Sequence, residues 1–229
     1  MKPAGLLQGA REAILEKVRS ALAPPQQAKV GLVGGFAQAA PRIQAQAGPL
    51  FPGVTDPLQR FLAESAANYM EVTLTADASE TAAALRQLLA SLPAGEIFIQ
   101  DAPQLRSLAA SAVEGRTVRW SSEGAPTESS QATVTRCEAL VALTGSVLVS
   151  SSGCGGRGAS VVAPCHIVVA EAGQLLPDLE SALARAREIA FENSYVGLIT
   201  GCSRTSDIEK LLVIGAHGPR RLVVIVQKA

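Results

Sequence analysis

Apolar residues recur at helical spacing from the start of the chain. Leu7, Ala10, Ile14, Val18 and Leu22 share one face, with Arg11, Glu12, Glu16 and Lys17 largely elsewhere, which predicts an amphipathic helix over 4–22 ending before Pro24-Pro25. Residues 24–53 are rich in Ala, Gln, Gly and Pro and keep no period, so they read as a long irregular arm. Such segments are disordered, wander over the surface, or serve as a lid or partner-binding arm. From 57 onward the pattern alternates. Leu58, Phe61 and Leu62 predict a helix over 57–68, and 69–75 a strand. Asp77-Ala78-Ser79-Glu80 opens a helix carrying Leu85, Leu88, Leu89 and Leu92, stopped by Pro93-Ala94-Gly95. A strand over 96–100, a helix over 103–113 with Asp101 as a cap, and a strand over 116–121 follow. Helix and strand in alternation predict an α/β fold, a three-layer sandwich with a mostly parallel central sheet. The expected domains are an N-terminal helix and arm, 1–53, attached to an α/β domain, 54–229.

Beyond 121 the pattern changes. Residues 122–131 are polar and read as a surface loop. Leu140 to Leu143 and Val147 to Val149 are short β segments broken by Thr144-Gly145-Ser146. Gly153-Cys154-Gly155-Gly156-Arg157-Gly158 is a glycine-rich loop, without the Lys-Ser/Thr ending of a Walker loop and without G-x-G-x-x-G spacing. His166 opens an apolar strand. Pro177-Asp178 opens a helix with Leu179, Leu183, Ala186 and Ala190 on its expected buried face. A strand over 195–200 leads into Gly201-Cys202-Ser203-Arg204. Ile208, Leu211, Leu212 and Gly215 then recur at helical spacing, and Ser206 and Glu209 have capping-box spacing. Strand, turn and helix N-terminus, with Arg204 beside the free N–H groups, would seat a carboxylate or phosphate. An ordinary connection with a surface arginine fits the same residues. The chain closes on an apolar strand, 221–227.

Charge and composition narrow the function. Twenty basic and twenty acidic residues balance, so no basic field points to nucleic acid. Aromatics are only 3%, too few for base-stacking platforms. No apolar run reaches membrane-spanning length and no signal pattern opens the chain, so the expectation is a cytoplasmic protein. Cys137, Cys154, Cys165 and Cys202 are scattered and form no C-x-x-C pair, so neither a disulfide framework nor a metal site is expected.

Three segments carry a family resemblance: Ala142-Leu143-Thr144-Gly145-Ser146-Val147-Leu148, Pro164-Cys165-His166-Ile167-Val168-Val169, and Gly201-Cys202-Ser203-Arg204-Thr205-Ser206-Asp207-Ile208-Glu209 followed by Gly215-Ala216-His217-Gly218-Pro219. In this order they resemble the A-x-T-G-[TS], P-x-H-I, G-P-S-R-T-A-D-I-E and G-x-H-G-P motifs of the LUD-domain family, within it the lactate-utilisation protein C group, over about residues 66–227. Cys202 stands where the family commonly has proline. The resemblance implies a fold like ribose-5-phosphate isomerase and the CoA transferases. It also implies a part in oxidising L-lactate to pyruvate alongside iron–sulfur partner proteins, with the clusters on the partners and no cofactor in this chain.

The expected ligand is a small carboxylate or phosphorylated anion. It would be held by Thr144, Gly145, Ser146, Arg157, Gly201, Ser203, Arg204 and Thr205, where the 144–146, 153–158 and 201–205 loops converge at the carboxyl ends of co-directional strands. His217, Glu209 and Asp207 are the candidate acid/base groups. Each has a structural alternative: His217 capping helix carbonyls, Asp207 and Glu209 as first-turn carboxylates. His166 reads as a hydrogen-bonded core histidine. Two other functions stay open: a stand-alone sugar-phosphate or acyl-CoA enzyme, and a non-catalytic assembly subunit.

Overall fold

The computed structural model describes residues 53–206, 212–214 and 218–228, and the single position Glu16. The expected N-terminal helix and arm lie outside these residues, apart from Gly53 and from Glu16, which is helical and exposed. The chain divides into two units at residues 52/53, and the sheets and helices that follow belong to the second.

Six parallel strands form the central sheet: β1 (Met70–Thr75), β2 (Glu96–Ile99), β3 (Thr117–Trp120), β4 (Ser130–Thr135), β7 (Cys165–Glu171) and β12 (Arg221–Gln227), in the order β1-β12-β7-β4-β2-β3. The C-terminal strand β12 therefore lies between β1 and β7. A second sheet of four short strands is built from β5 (Ala139–Val141), β6 (Ser146–Ser150), β8 (Leu175–Leu176) and β9 (Val196–Ile199), in the order β8-β5-β6-β9. Here β6 runs antiparallel to both neighbours. Residues Arg204–Ser206 (β10) and Leu212–Ile214 (β11) pair antiparallel.

The α-helices fully within the described residues are α1 (Pro57–Ala67), α2 (Ala78–Ala90), α3 (Pro103–Ala112) and α4 (Leu179–Ile189). Asp77 caps α2 by accepting from the N–H groups of Ser79 and Glu80, and Glu80 reaches back to the Ala76 N–H at 2.7 Å, which fixes where that helix starts. The expected cap at Asp101 is not made. Ala102 takes the cap position, and Asp101 instead binds Arg106 and Ser122.

The two faces of the central sheet bury different partners, giving three layers. Alternate side chains Ala132, Val134, Cys165, Ile167, Val223 and Ile225 pack under α2 and α3 through Leu85, Leu89 and Leu105. The opposite set, Val168, Ala170, Leu222, Val224 and Val226, packs against Phe61 of α1 and Leu140, Val147 and Val149 of the small sheet.

Three expectations need correction. The loop expected over 122–131 ends earlier, since Ser130 and Gln131 already belong to the buried strand β4, which runs to Thr135. Its sequence Ser-Gln-Ala-Thr-Val-Thr looks polar, yet Ala132 and Val134 face one core while Thr133 and Thr135 are fully buried on the other side. In α4 only Ala182 is fully buried and Leu183 is 56% exposed, so the helix is turned from the expected face. The helix expected from Ser206 is a strand pair at its two described ends. The β-branched run Val213-Ile214 decides for pairing, and the Ser206–Glu209 spacing is not a capping box around a helix that includes Leu212–Ile214.

Candidate functional site

A cleft of about 260 Å³ opens between the central sheet and β9 of the small sheet. On one side are His166 and Leu222, each the second residue of its strand, so the cleft lies at the amino ends of β7 and β12. On the other are Leu198, Ile199 and Thr200, with Gly201 and Ser203 just beyond them. Ser160, Val161, Tyr195, Gly218 and Pro219 complete it. Backbone hydrogen bonds assemble these walls. The Pro164 carbonyl accepts from Arg220 N at 2.8 Å and Arg221 N at 3.2 Å, tying the Pro-Cys-His-Ile segment to the start of β12. The Ser203 N–H donates to the Pro219 carbonyl at 2.8 Å, tying the Gly-Cys-Ser-Arg turn to Gly218-Pro219.

The Thr-Gly-Ser turn touches this cleft from behind. Thr144 and Ser146 hydroxyls lie 2.7 Å apart, and Ser146 is 2.7 Å from the hydroxyl of Thr200, which lines the cleft. A chain of three hydroxyls thus runs from that turn to the wall. The antiparallel register of β6 and β9 produces it, because the start of β6 meets the end of β9.

His166 is the one ionisable side chain among the described lining residues that is fully shut off from solvent. Its Nε2 lies 2.9 Å from the Thr135 hydroxyl, as a core histidine should be held, while Nδ1 has no partner among the described residues. Burial lowers its pKa to about 4, so the ring is neutral at physiological pH. The Thr133 hydroxyl, register partner of His166 on β4, is likewise buried without a hydrogen bond. Sequence reading passed over Thr133 and Thr135 because the expected loop took in Ser130 and Gln131 and no element was assigned to 132–135. The signal was the Ala132/Val134 against Thr133/Thr135 alternation.

The residues expected to bind ligand are dispersed. Gly201 and Ser203 line the cleft. Gly145 and Gly201 are occupied by protein: a Cβ on Gly145 would lie 2.6 Å from Ser65 N, and one on Gly201 2.1 Å from the Asn68 carbonyl oxygen, so both turns close on the C-terminus of α1. A helix C-terminus presents carbonyls, which repel an anion. The 153–158 loop leaves β6 at the end opposite Thr144–Ser146, and Arg157 there binds the Ser194 carbonyl at 2.7 Å. Only its continuation, Ser160 and Val161, reaches the cleft. The expected meeting of three loops at the carboxyl ends of co-directional strands is therefore not formed. β6 and β9 are antiparallel, and the cleft lies at the amino ends of β7 and β12. At the carboxyl ends lies a separate hollow of about 220 Å³, where Arg136 and Gln104 adjoin Glu171. Thr205 sits in β10, while Asp207, Glu209 and His217 lie outside the described residues.

Arg204 does not face the cleft beside a helix start. It is exposed, 3.4 Å from the Asn68 Oδ1 and 5.5 Å over the ring of Tyr69, itself 60% exposed and in the left-handed region at φ 58°. Exposed contacts of this kind contribute about 0–1 kcal/mol. Arg204→Lys is expected to shift the urea midpoint slightly and to leave ligand affinity unchanged. A tenfold loss of affinity on calorimetric titration would return Arg204 to the binding site.

All four cysteines are free and buried. Burial raises the pKa of Cys154 and Cys165 to about 11 and that of Cys137 further. Among the described residues no three His, Cys, Asp or Glu side chains are grouped to hold a metal ion. No helix among them is long and apolar enough to cross a membrane.

The model of the LUD domain family matches residues 58–226, which span both sheets and all three motif segments. The chain belongs to the LUD-domain family. Similar curated proteins are lactate utilization protein C of Deinococcus radiodurans, 33% identical over 42% of this chain and 45% of that one, and lactate utilization protein C of Geobacillus thermodenitrificans, 28% identical over 69% and 72%. The first match thus spans less than half of its relative. A crystal structure of a DUF162 family protein from Deinococcus radiodurans superposes with a TM-score of 0.59 at 21% identity, covering 74% of this chain and 95% of that one. It shares the fold of this LUD domain.

Proposed function

We propose that this LUD-domain protein takes part in lactate utilisation by binding a small carboxylate, L-lactate or pyruvate, in the amino-end cleft. In this reading it works in the cytoplasm beside iron–sulfur partner proteins, whose clusters accept the electrons released when lactate is oxidised. The observation that carries the reading is the convergence of two sequence-distant motif segments on one small cleft furnished with hydroxyls and a neutral histidine, with the third segment hydrogen-bonded to its wall through Thr200. The names of its relatives supply the substrate class. A volume of about 260 Å³ lies just under the range of pockets for drug-sized ligands, which suits a molecule of a few heavy atoms. Ser203 and Ser160 would orient a carboxylate as neutral donors.

Calorimetric titration of the whole chain with L-lactate and with pyruvate tests this. At least one acid is expected to bind, and Ser203→Ala to weaken it by about three- to tenfold, the value of one hydrogen bond. Binding of neither acid sinks the proposal. Lactate-dependent electron transfer with and without the partner proteins then tests the assignment of the clusters. The second reading, a sugar-phosphate or acyl-CoA enzyme, draws on the carboxyl-end hollow with Arg136, where parallel sheets commonly take ligands. Binding of ribose 5-phosphate, abolished by Arg136→Ala, would favour it.

A further inference from the structure

His166 and Thr133 face each other across β7 and β4, and each carries a buried polar atom with no hydrogen bond among the described residues: Nδ1 on the ring and Oγ1 on the threonine. An unmade hydrogen bond at a buried group is costly, so the one on His166, which lines the cleft, calls for a guest. His166 lines the cleft yet is fully shut off from solvent, which makes it the closed inner end, behind a rim that includes the exposed side chains of Val161 and Leu198.

The hydrogen bond behind the ring bears on what Nδ1 offers. His166 Nε2 lies 2.9 Å from the Thr135 hydroxyl oxygen, which can accept a proton from it. With Nε2–H donating there, the neutral ring carries its one proton on Nε2, and Nδ1 is a bare lone pair.

We propose that His166 Nδ1 reads the hydroxyl of a 2-hydroxy acid, accepting its proton in a hydrogen bond and so separating the hydroxy acid from the corresponding keto acid and unsubstituted acid. This rests on the reading that the cleft takes a small carboxylate. A hydroxyl donates, so one such group satisfies Nδ1. A keto oxygen only accepts and sets a lone pair against a lone pair. An unsubstituted acid leaves Nδ1 unpaired. The cleft should therefore release the keto acid once the hydroxy acid is oxidised.

The test has two arms on the full chain. In the first, ¹⁵N NMR of histidine-labelled protein at neutral pH reports the His166 tautomer with no ligand added. Protonated Nε2 and bare Nδ1 are expected, and a proton on Nδ1 overturns the proposal. In the second, calorimetry compares L-lactate, pyruvate and propionate. L-lactate is expected to bind at least about tenfold more tightly than either, since a site built around one hydrogen bond rejects analogues that lack it. His166→Gln, which keeps a partner for Thr135 but removes Nδ1, is expected to bring the three within about threefold of one another. Equal binding of all three acids to the unaltered protein overturns this proposal and leaves the carboxylate site standing. Binding of none overturns both. The tautomer and the three-acid comparison need no variant, so a misfolded His166→Gln would not rescue the idea.

Discussion

Gly201→Ala is expected to destabilise the protein by about 3 kcal/mol or more, enough to remove much of the stability of an ordinary domain. Two costs add. Gly201 sits at φ +80°, where an L side chain costs roughly 1–2 kcal/mol. The new Cβ would also lie 2.1 Å from the Asn68 carbonyl oxygen and 3.1 Å from its carbon. These are backbone atoms at the cap of α1 and cannot swing aside like a flexible side chain, so helix or turn must move, at a typical overpacking cost of about 1–3 kcal/mol. Gly145→Ala should behave alike, at φ +59° with Ser65 N 2.6 Å from the new Cβ. Gly173, with open space around it and no strained φ, is the control and should change by under about 0.5 kcal/mol. Urea unfolding of the three variants checks this. A Gly201→Ala midpoint equal to that of Gly173→Ala would show that α1 is not seated on these turns.

The two glycines recast the motif. Read along the chain, Thr-Gly-Ser and Gly-Cys-Ser-Arg look like anion loops, because glycine beside hydroxyls is what an anion loop needs. In space both glycines let the end of α1 come close. Asn68 holds that end by donating to the Glu64 carbonyl at 2.9 Å and the Thr144 carbonyl at 3.2 Å. The motif hydroxyls take the other part of the work. Thr144 and Ser146 lead through Thr200 to the cleft. One-dimensional spacing cannot separate these uses, since a glycine needed for close packing and one needed for a ligand read the same.

The parallel half of the fold was legible because each element carries its own period and its own stop. Leu85 and Leu89 mark α2, Pro93-Ala94-Gly95 ends it, and the apolar run of β2 follows. β4 was not legible. It is the only inner strand of the central sheet that buries two threonines in one turn of sequence, and threonine scores as polar whether a neighbouring histidine satisfies it or not. The β10–β11 pair was misread for another reason. Helical spacing and a short strand both fit Leu211, Leu212 and Ile214, and the deciding cross-strand partner, Arg204 opposite Ile214, is a tertiary fact. The site followed the fold. His166 was visible as a strand-opening histidine, but its unpartnered nitrogen depends on Thr133 and Thr135, and so on a strand that the sequence hid.

Acid should unfold this protein earlier than its carboxylates alone would, with His166 responsible. Burial holds the folded pKa at about 4 against the usual 6.5 of an unfolded histidine. Below 6.5 the unfolded chain takes up a proton that the native ring refuses, so stability present above pH 6.5 is lost as pH falls. At about 1.36 kcal/mol per unit, the loss reaches about 3 kcal/mol by pH 4 and then stops, because the folded ring also protonates. The lowered carboxylates act in a different window. Glu71, hydrogen-bonded to Arg221, and Asp178, capping Ser181, contribute stability above their ordinary values of 4.5 and 3.8 and lose it only as pH falls through their folded values. Between pH 6.5 and 5 the histidine contribution stands apart. The unaltered protein and a His166→Gln variant share every other ionisable residue, so the difference between their stability curves isolates His166. Urea unfolding at half-unit steps should show the unaltered protein losing about 2 kcal/mol more than the variant from pH 6.5 to 5. Parallel curves would mean that the ring is hydrated or paired in solution, and that the closed inner end of the cleft is open to water.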